Sequence, residues 1–451
     1  VIVPYLLRQY LRFAQRRALA ADASPRIAQE QLHRKMARAL RGTRIAELQD
    51  ARIWDDLDRY RHHVRATTYA DHRPLIAAAM QCAPSAGIFA RGVTTAFGHS
   101  SSAKSFVPFT RAHVDNFRAF QMDAVAEVAI GQGQHQILSS PSLMVQGSLE
   151  VARTAYGMLT GYSSAVMVER TPWLLKRRLL PSPSDLRLPD AGARTAQIGR
   201  ALVEQRPRVL TGMPEFVVGV LRALLDGDDA ERVREALRGI EVYAWSGMPL
   251  GLYRGFLEEH LAPGCRFFDA VSSTEGPIGL QTGKSGVYRP ALTRSLLLFV
   301  RPGESEKRFA WELREGETYD VLLGSFAGLH GYRVGDRIRV VSARPLRFEL
   351  LPRAIDVGAA CALLGSDASD FCAYLDPTTR VLQILLEGAR APSVASLSDL
   401  ASRLGAAYAT VRLVDPGRIA RAAVALSVHG ITKLPRLHSR PDVQALLERH
   451  A

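Results

Sequence analysis

Between residues 140 and 297 short β-rich runs alternate with helical stretches, and this pattern limits the fold more than any other feature of the chain. The runs Ala165–Val168, Ile240–Tyr243 and Cys265–Phe268 read as strands, and helices are expected at about 191–205, 213–226, 229–238 and 250–261. Strands separated by helices of that length pair in parallel through crossovers, which defines an α/β fold. After Leu297 the pattern changes. Leu298–Val300, Phe309–Leu313, Asp320–Leu323 and Arg337–Val341 read as successive antiparallel strands. Past Pro352 and Arg353 lies a segment with its own strand (Val381–Leu386), helix (about 396–405), strand (Thr410–Val414) and terminal helix from Pro441. A chain of 451 residues has room for two or three domains at about 150 residues each. The expected division is 1–352, a large N-terminal domain of β-sheets flanked by helices with a small antiparallel, barrel-like part, and 353–451, a small α+β domain.

Upstream, Ser24-Pro25 reads as the start of a helix that Gly42 stops, with the serine as N-cap. A second helical stretch is expected through Ile45, Leu48, Ile53, Leu57 and Tyr60. Ile88–Ala90 and Val93–Phe97 are strand-like, and a long helix should begin near Thr110, carrying Val114, Phe117, Phe120, Met122 and Val125.

Several function classes are disfavoured by composition. Four cysteines without Cys-x-x-Cys spacing are too few for a disulfide scaffold and read as reduced thiols. Apolar runs stay short of the roughly 18 residues that span a membrane, and the opening stretch is unlike a signal peptide. The expectation is a soluble, cytoplasmic protein, a monomer or weak dimer. The net charge is +14, and residues 1–44 hold ten basic and two acidic residues. Arg8, Arg12 and Arg16 recur at i, i+4, which suits a solvated helix packing its apolar side on the body. Few aromatics are interleaved with the basic residues, so neither nucleic acid nor membrane is expected as a partner; an anionic small substrate fits better. The histidines lack H-E-x-x-H spacing, and the G-x-S-x-G and G-x-G-x-x-G patterns are absent.

Four segments carry the chemistry. Gly98-His99-Ser100-Ser101-Ser102-Ala103-Lys104-Ser105 is a loop whose amides and hydroxyls can wrap phosphate oxygens, with Lys104 adding a mobile charge. It nearly matches a Walker loop, but Pro108 opposes the helix such a loop needs, so the segment should link two strands. In Val271-Ser272-Ser273-Thr274-Glu275-Gly276 a hydroxyl and a carboxylate sit together at a strand end, as Mg²⁺ and phosphate require. Gly331-Tyr332-Arg333-Val334-Gly335-Asp336 places an aspartate after a glycine turn, able to accept both hydroxyls of a ribose. The fourth is Gly430-Ile431-Thr432-Lys433-Leu434-Pro435-Arg436.

Taken in order, these segments resemble the motifs of the Gretchen Hagen acyl acid amido synthetases, members of the adenylate-forming superfamily. Tyr69-Ala70-Asp71-His72-Arg73-Pro74-Leu75-Ile76 looks like the family's Y-x-D-x-x-P-x-I, and Phe97 to Pro108 like its phosphate loop, one residue shorter and with one glycine, Gly98, instead of two. Val271 to Gly276 resembles Y-x-S-[ST]-E-G with valine in place of the aromatic, Tyr332 to Val340 resembles Y-R-x-G-D-x-x-x-V, and Lys433 to Arg436 resembles K-x-P-R. The resemblance implies an enzyme that uses ATP and Mg²⁺ to activate a carboxylic acid as acyl-AMP and passes the acyl group to an amine, such as an amino acid. It implies nucleotide contacts from Gly98, Ser100, Ser101, Ser102, Ser273, Thr274, Glu275, Tyr332, Asp336 and Arg353, metal coordination by Glu275, and catalytic roles for Lys104 and Lys433. Arg353 would fall at a hinge, and Trp245–Leu250 where the superfamily contacts adenine. Phe117, Phe120, Met144, Tyr156, Tyr162 and Phe216 are apolar candidates for an acyl pocket. Two alternatives stay open: a thiol acceptor, giving a CoA or carrier-protein thioester, and a non-catalytic descendant that binds without reacting.

Overall fold

The computed structural model describes residues 2–83, 87–89, 94–99, 106–146, 152–169, 171, 176–182, 185, 188, 190–248, 250–351, 370–376, 378–388, 390–403, 406–415, 417–419, 437–438 and 444. Helix α1 (Ile2–Ala23) turns Leu11 and Ala14 inward against Ala126 and Ala129, while Arg8, Arg12 and Arg16 stay in solvent. Helix α2 (Pro25–Leu40) starts at Ser24 as expected, although that side chain makes no capping bond. The stretch from Ile45 to Tyr60 is not one helix. It breaks into 3-10 turns at Arg44–Leu48 and Ala51–Trp54, followed by α3 (Leu57–His63), because Asp50 and Asp56 accept the N–H of Arg52 and Arg59 and start a new element each time. Helix α4 (Tyr69–Met80) is opened by a capping box between Thr68 and Asp71.

Strands β1 (Thr94–His99) and β2 (Phe106–Thr110) form an antiparallel hairpin, so the serine loop joins two strands as expected. Ile88 and Phe89 belong to no strand, and residues 90–93 lie outside the described set. Helix α5 (Arg111–Ala126) follows, capped by the Thr110 hydroxyl, which accepts from His113 N. Next come β3 (Ser142–Val145), β4 (Ala152–Arg153), β5 (Leu159–Tyr162) and α6 (Ser163–Glu169). Ala165–Val168, expected as a strand, lies in α6. Its Val166 and Met167 are buried against Ala96 and Phe109 of the small sheet β2-β1-β5-β4 and Val114 of α5, and that burial outweighs the local β-propensity.

The alternating region supplies β6 (Leu179–Leu180), α7 (Ala191–Gln205), β7 (Val209–Gly212), α8 (Pro214–Leu225), α9 (Ala230–Leu237), β8 (Val242–Trp245), α10 (Gly251–His260) and β9 (Arg266–Ser273). Strands β6, β3, β7, β8 and β9 lie side by side in parallel, and Leu143, Leu210 and Tyr243 pack against Val217, Leu221, Leu237 and Leu257 of the covering helices. The same sheet continues from β9 through β10 (Gly276–Gln281) and β11 (Tyr288–Pro290) into an antiparallel half. That half contains β12 (Leu296–Val300), β13 (Lys307–Arg308), β14 (Thr318–Gly324), β15 (Tyr332–Ala343) and β16 (Leu346–Leu351), which gives the sheet twelve strands among the described residues. All five residues of β12 are buried because separate apolar clusters cover its two faces, which explains its unbroken apolar sequence. Phe309–Leu313, expected as a strand, holds a 3-10 turn, with Glu312 accepting from Phe309 N at 2.7 Å.

The C-terminal region is a second, smaller layer. Strands β17 (Asp370–Leu375), β18 (Val381–Glu387), β19 (Tyr408–Val414) and β20 (Leu437–His438) take the order β19-β18-β17-β20, and helix α11 (Val394–Arg403) covers Phe371, Leu382, Ile384 and Leu386 with Leu400. The helix expected from Pro441 falls outside the described residues apart from Gln444. The α/β architecture read from the sequence is thus present: a large mixed sheet with helices, and a smaller β-rich C-terminal region.

Candidate active site

The site assembles around the turn between β9 and β10. Ser273 pairs with Gly276, leaving Thr274 and Glu275 as the two residues of a hairpin loop. Side chains from three other elements hold them. The Ser163 hydroxyl, at the start of α6, donates to Thr274 Oγ1 at 2.9 Å. His113 Nε2, in the first turn of α5, donates to the Thr274 carbonyl at 3.2 Å. Tyr332 OH, at the start of β15, donates to Glu275 Oε1 at 3.2 Å. Burial and the neighbouring carboxylate push the Tyr332 phenol upward, so it stays protonated and able to donate.

The β1–β2 hairpin reaches the same place. A Cβ on Gly98 would stand 2.2 Å from Phe109 Cε2 and 2.8 Å from Ser163 Oγ, so only glycine lets the strand lie this close to Ser163 and hence to Thr274. Tyr69 OH accepts from Phe106 N at 3.0 Å and fixes the returning strand. The Y-x-D-x-x-P segment is therefore structural here: Tyr69 anchors the hairpin and Asp71 caps its own helix, with Oδ2 2.8 Å from Thr68 N. Thr67 pairs with Tyr332 as a parallel bridge, bonding Gly331 O and Arg333 N on either side. Arg65 O would lie 2.2 Å from a Cβ on Gly331, which explains that glycine.

Of the residues singled out in the sequence, the structure brings Gly98, Thr274, Glu275 and Tyr332 together. Ser273 adjoins them, and its buried hydroxyl has no partner among the described residues. Asp336 sits further along β15 in a bulge: β14 residues Leu322 and Asp320 face Arg333 and Arg337, so four steps of β15 oppose two of β14. Gly335 takes φ 79° there, so the expected glycine turn is a bulge inside a continuous strand. Ser100, Ser101, Ser102, Lys104, Arg353 and Lys433 lie outside the described residues. His113 and Ser163 carry no motif that would have revealed them. The pocket candidates disperse: Phe120 and Phe216 belong to separate apolar cores, Phe117 packs on Phe109 and His113, Met144 and Tyr162 share a small cluster, and Tyr156 is exposed. Trp245 is buried and stacked on Tyr243, and its Nε1 donates to Met248 O.

No group of three or more His, Cys, Asp or Glu side chains that would hold a metal is found among the described residues. A single carboxylate such as Glu275 suffices for Mg²⁺ bound to a nucleotide, because phosphates and water fill most of its coordination sphere. The Ser273 hydroxyl, without a partner among the described residues, fits a phosphate-bearing ligand.

This constellation lies beside a large mixed sheet with a smaller C-terminal layer. Residues 300–353 match the GH3 family central domain. Among solved structures, the GH3.15 acyl acid amido synthetase is 15% identical, with 94% of this chain and 93% of that one covered at a TM-score of 0.73. The same enzyme described in complex with 2,4-DB gives 15% identity, 97% and 96% coverage, and a TM-score of 0.71. A 2-hydroxyisobutyryl-CoA ligase in its postadenylation state with 2-HIB-AMP gives 14% identity, 98% and 90% coverage, and 0.51. The fold is shared with GH3-type acyl acid amido synthetases. No curated protein sequence matches the chain. No described helix is long and apolar enough to cross a membrane.

Proposed function

We propose that this chain is an ATP-dependent acyl acid amido synthetase, activating a carboxylic acid as acyl-AMP and transferring the acyl group to an amine such as an amino acid. The observation that carries this reading is the meeting of Gly98, Thr274, Glu275 and Tyr332 around one hairpin turn, within a fold shared with such synthetases. ATP is a substrate here. The acid's carboxylate attacks the α-phosphorus, pyrophosphate leaves, and the amine then displaces AMP from the acyl carbon. In this reading Glu275 holds Mg²⁺, which supplies neutralisation of phosphoryl charge. Thr274 touches the α-phosphate, Asp336 takes the ribose hydroxyls, and the loop of Ser100, Ser101, Ser102 and Lys104 wraps the outer phosphates. Lys433 reaches the reacting carboxylate, and the region beyond Arg353 acts as a separate small domain that rotates between the two half-reactions.

The test is exchange of labelled pyrophosphate into ATP across a panel of carboxylic acids. Lys433→Ala should suppress exchange and leave nucleotide binding intact; unchanged exchange removes Lys433 from the mechanism. Supplying amines and CoA separately to preformed acyl-AMP decides the acceptor. Likeness to a CoA ligase keeps the thiol acceptor as the second reading. Absence of exchange with every acid, together with no thermal shift on adding ATP, would leave a protein that has lost catalysis.

A further inference from the structure

A two-residue hairpin loop normally takes a turn with positive φ, which matches the twist of its strands. Thr274 and Glu275 do not: among the described residues only Arg206 and Arg380 are non-glycine positions with positive φ. The register shift between Pro277 and Gly279 loosens the pairing next to the turn. A loop of this hand beside a bulge does not match the twist of its strands, and side chains of other elements hold it.

We infer that His113 is a positioning residue that sets the Thr274–Glu275 turn by donating its Nε2–H to the Thr274 carbonyl, an inference that rests on the nucleotide-binding role proposed for that turn. The imidazole is fully buried, edge-on between Phe109 and Phe117 at centroid distances of 5.1 and 4.9 Å. A carbonyl only accepts, so Nε2 carries the proton and Nδ1 does not. Nδ1 is buried and has no partner among the described residues. Leaving a buried acceptor unpaired is costly, and a leucine or phenylalanine would fill this apolar slot without that cost. The one bond that histidine makes is what an apolar side chain would forfeit. Desolvation lowers the ring to about 4, so it stays neutral in the physiological range, with its donor in place.

The backbone of His113 adds to the argument. Its N–H bonds the Thr110 hydroxyl at 3.1 Å, and that hydroxyl donates to Phe326 O at 3.1 Å. The imidazole thus projects from a helix start pinned on one side to β2 and on the other to the loop after β14. Ser163 and Tyr332 hold the side chains of the turn, and His113 alone of the three grips its backbone.

The test compares His113→Leu, which removes the donor at similar volume, with His113→Gln, which can return an amide N–H to the same carbonyl. Pyrophosphate exchange in H113L should show a KM for MgATP raised about tenfold, the equivalent of one lost hydrogen bond, with kcat less affected. H113Q should recover most of that loss even though both variants shift thermal stability alike. Equal activity of H113L and wild type, or equal impairment of the two variants in proportion to their lost stability, overturns the inference. A wild-type enzyme that exchanges no pyrophosphate defeats the functional reading instead. The crystal structure of H113L then decides: a displaced Thr274–Glu275 turn supports the inference, and a turn in its original place ends it.

Discussion

Arg222 of α8 sets Nη1 3.3 Å from Oε2 of Glu387 at the end of β18, joining the parallel half of the large sheet to the C-terminal layer. Glu387 is fully buried and accepts two further bonds, from Gly417 N at 2.7 Å and Ile419 N at 2.6 Å. Its cross-strand partner Asp370 receives Tyr253 OH from α10 at 3.3 Å, so two neighbouring carboxylates of the small layer face two donors of the large one.

Removing the arginine takes an ion-pair partner from a buried carboxylate, a loss on the order of 3–5 kcal/mol if nothing moves. The cheaper response is for the C-terminal layer to lift and hydrate Glu387. Arg222→Ala should therefore raise hydrogen exchange in β17, β18 and residues 417–419 while leaving α8 and β7 protected. Unchanged exchange in those strands would show that the contact does not hold the layer in place.

Asp269 predicts a pH dependence of stability. Burial raises its carboxyl from 3.8 to about 7, with Tyr288 OH donating at 2.6 Å as a partial offset. The folded chain then keeps a proton that the unfolded chain has released, so this group favours folding at low pH and that favour is lost as pH rises from about 4 to about 7. The difference in unfolding free energy between Asp269→Asn and wild type should grow in the variant's favour across that window, by at most about 1.4 kcal/mol per pH unit, and level off above it. Urea titrations of both proteins at several pH values measure it.

Gly98→Ala should fail sterically. The added methyl meets the Phe109 ring and the Ser163 hydroxyl, both buried or half-buried, and overpacking of this kind costs about 1–3 kcal/mol. Chemical denaturation should show that loss, and any bound nucleotide should be weakened with it, since the hairpin must retreat from Thr274.

Tyr332→Phe keeps the ring packed and deletes only the donor to Glu275. The carboxylate then has less to orient it, and the Mg²⁺ concentration for half-maximal exchange should rise about tenfold, the equivalent of one charge-assisted bond. A Mg²⁺ dependence identical to wild type would separate Tyr332 from the metal role proposed for Glu275.

Local pattern decided the kind of element over most of the chain. The helices near 191–205, 213–226 and 250–261 lie within a residue or so of where apolar spacing put them, and Pro108 was enough to make the serine loop a hairpin. Local pattern failed where burial or a capping carboxylate overruled it: Ala165–Val168 is helical under the small sheet, and Asp50 and Asp56 cut one expected helix into turns. The sequence also singled out Gly98, Thr274, Glu275 and Tyr332, which the fold brings to one turn. It did not name what holds them. His113 and Ser163 lie 161 and 111 residues from Thr274, and a bond across that separation leaves no periodicity to read. Spacing along the chain fixes an element's type because the forces are local; which element abuts which is settled by joint burial of apolar faces, and that only the folded chain decides.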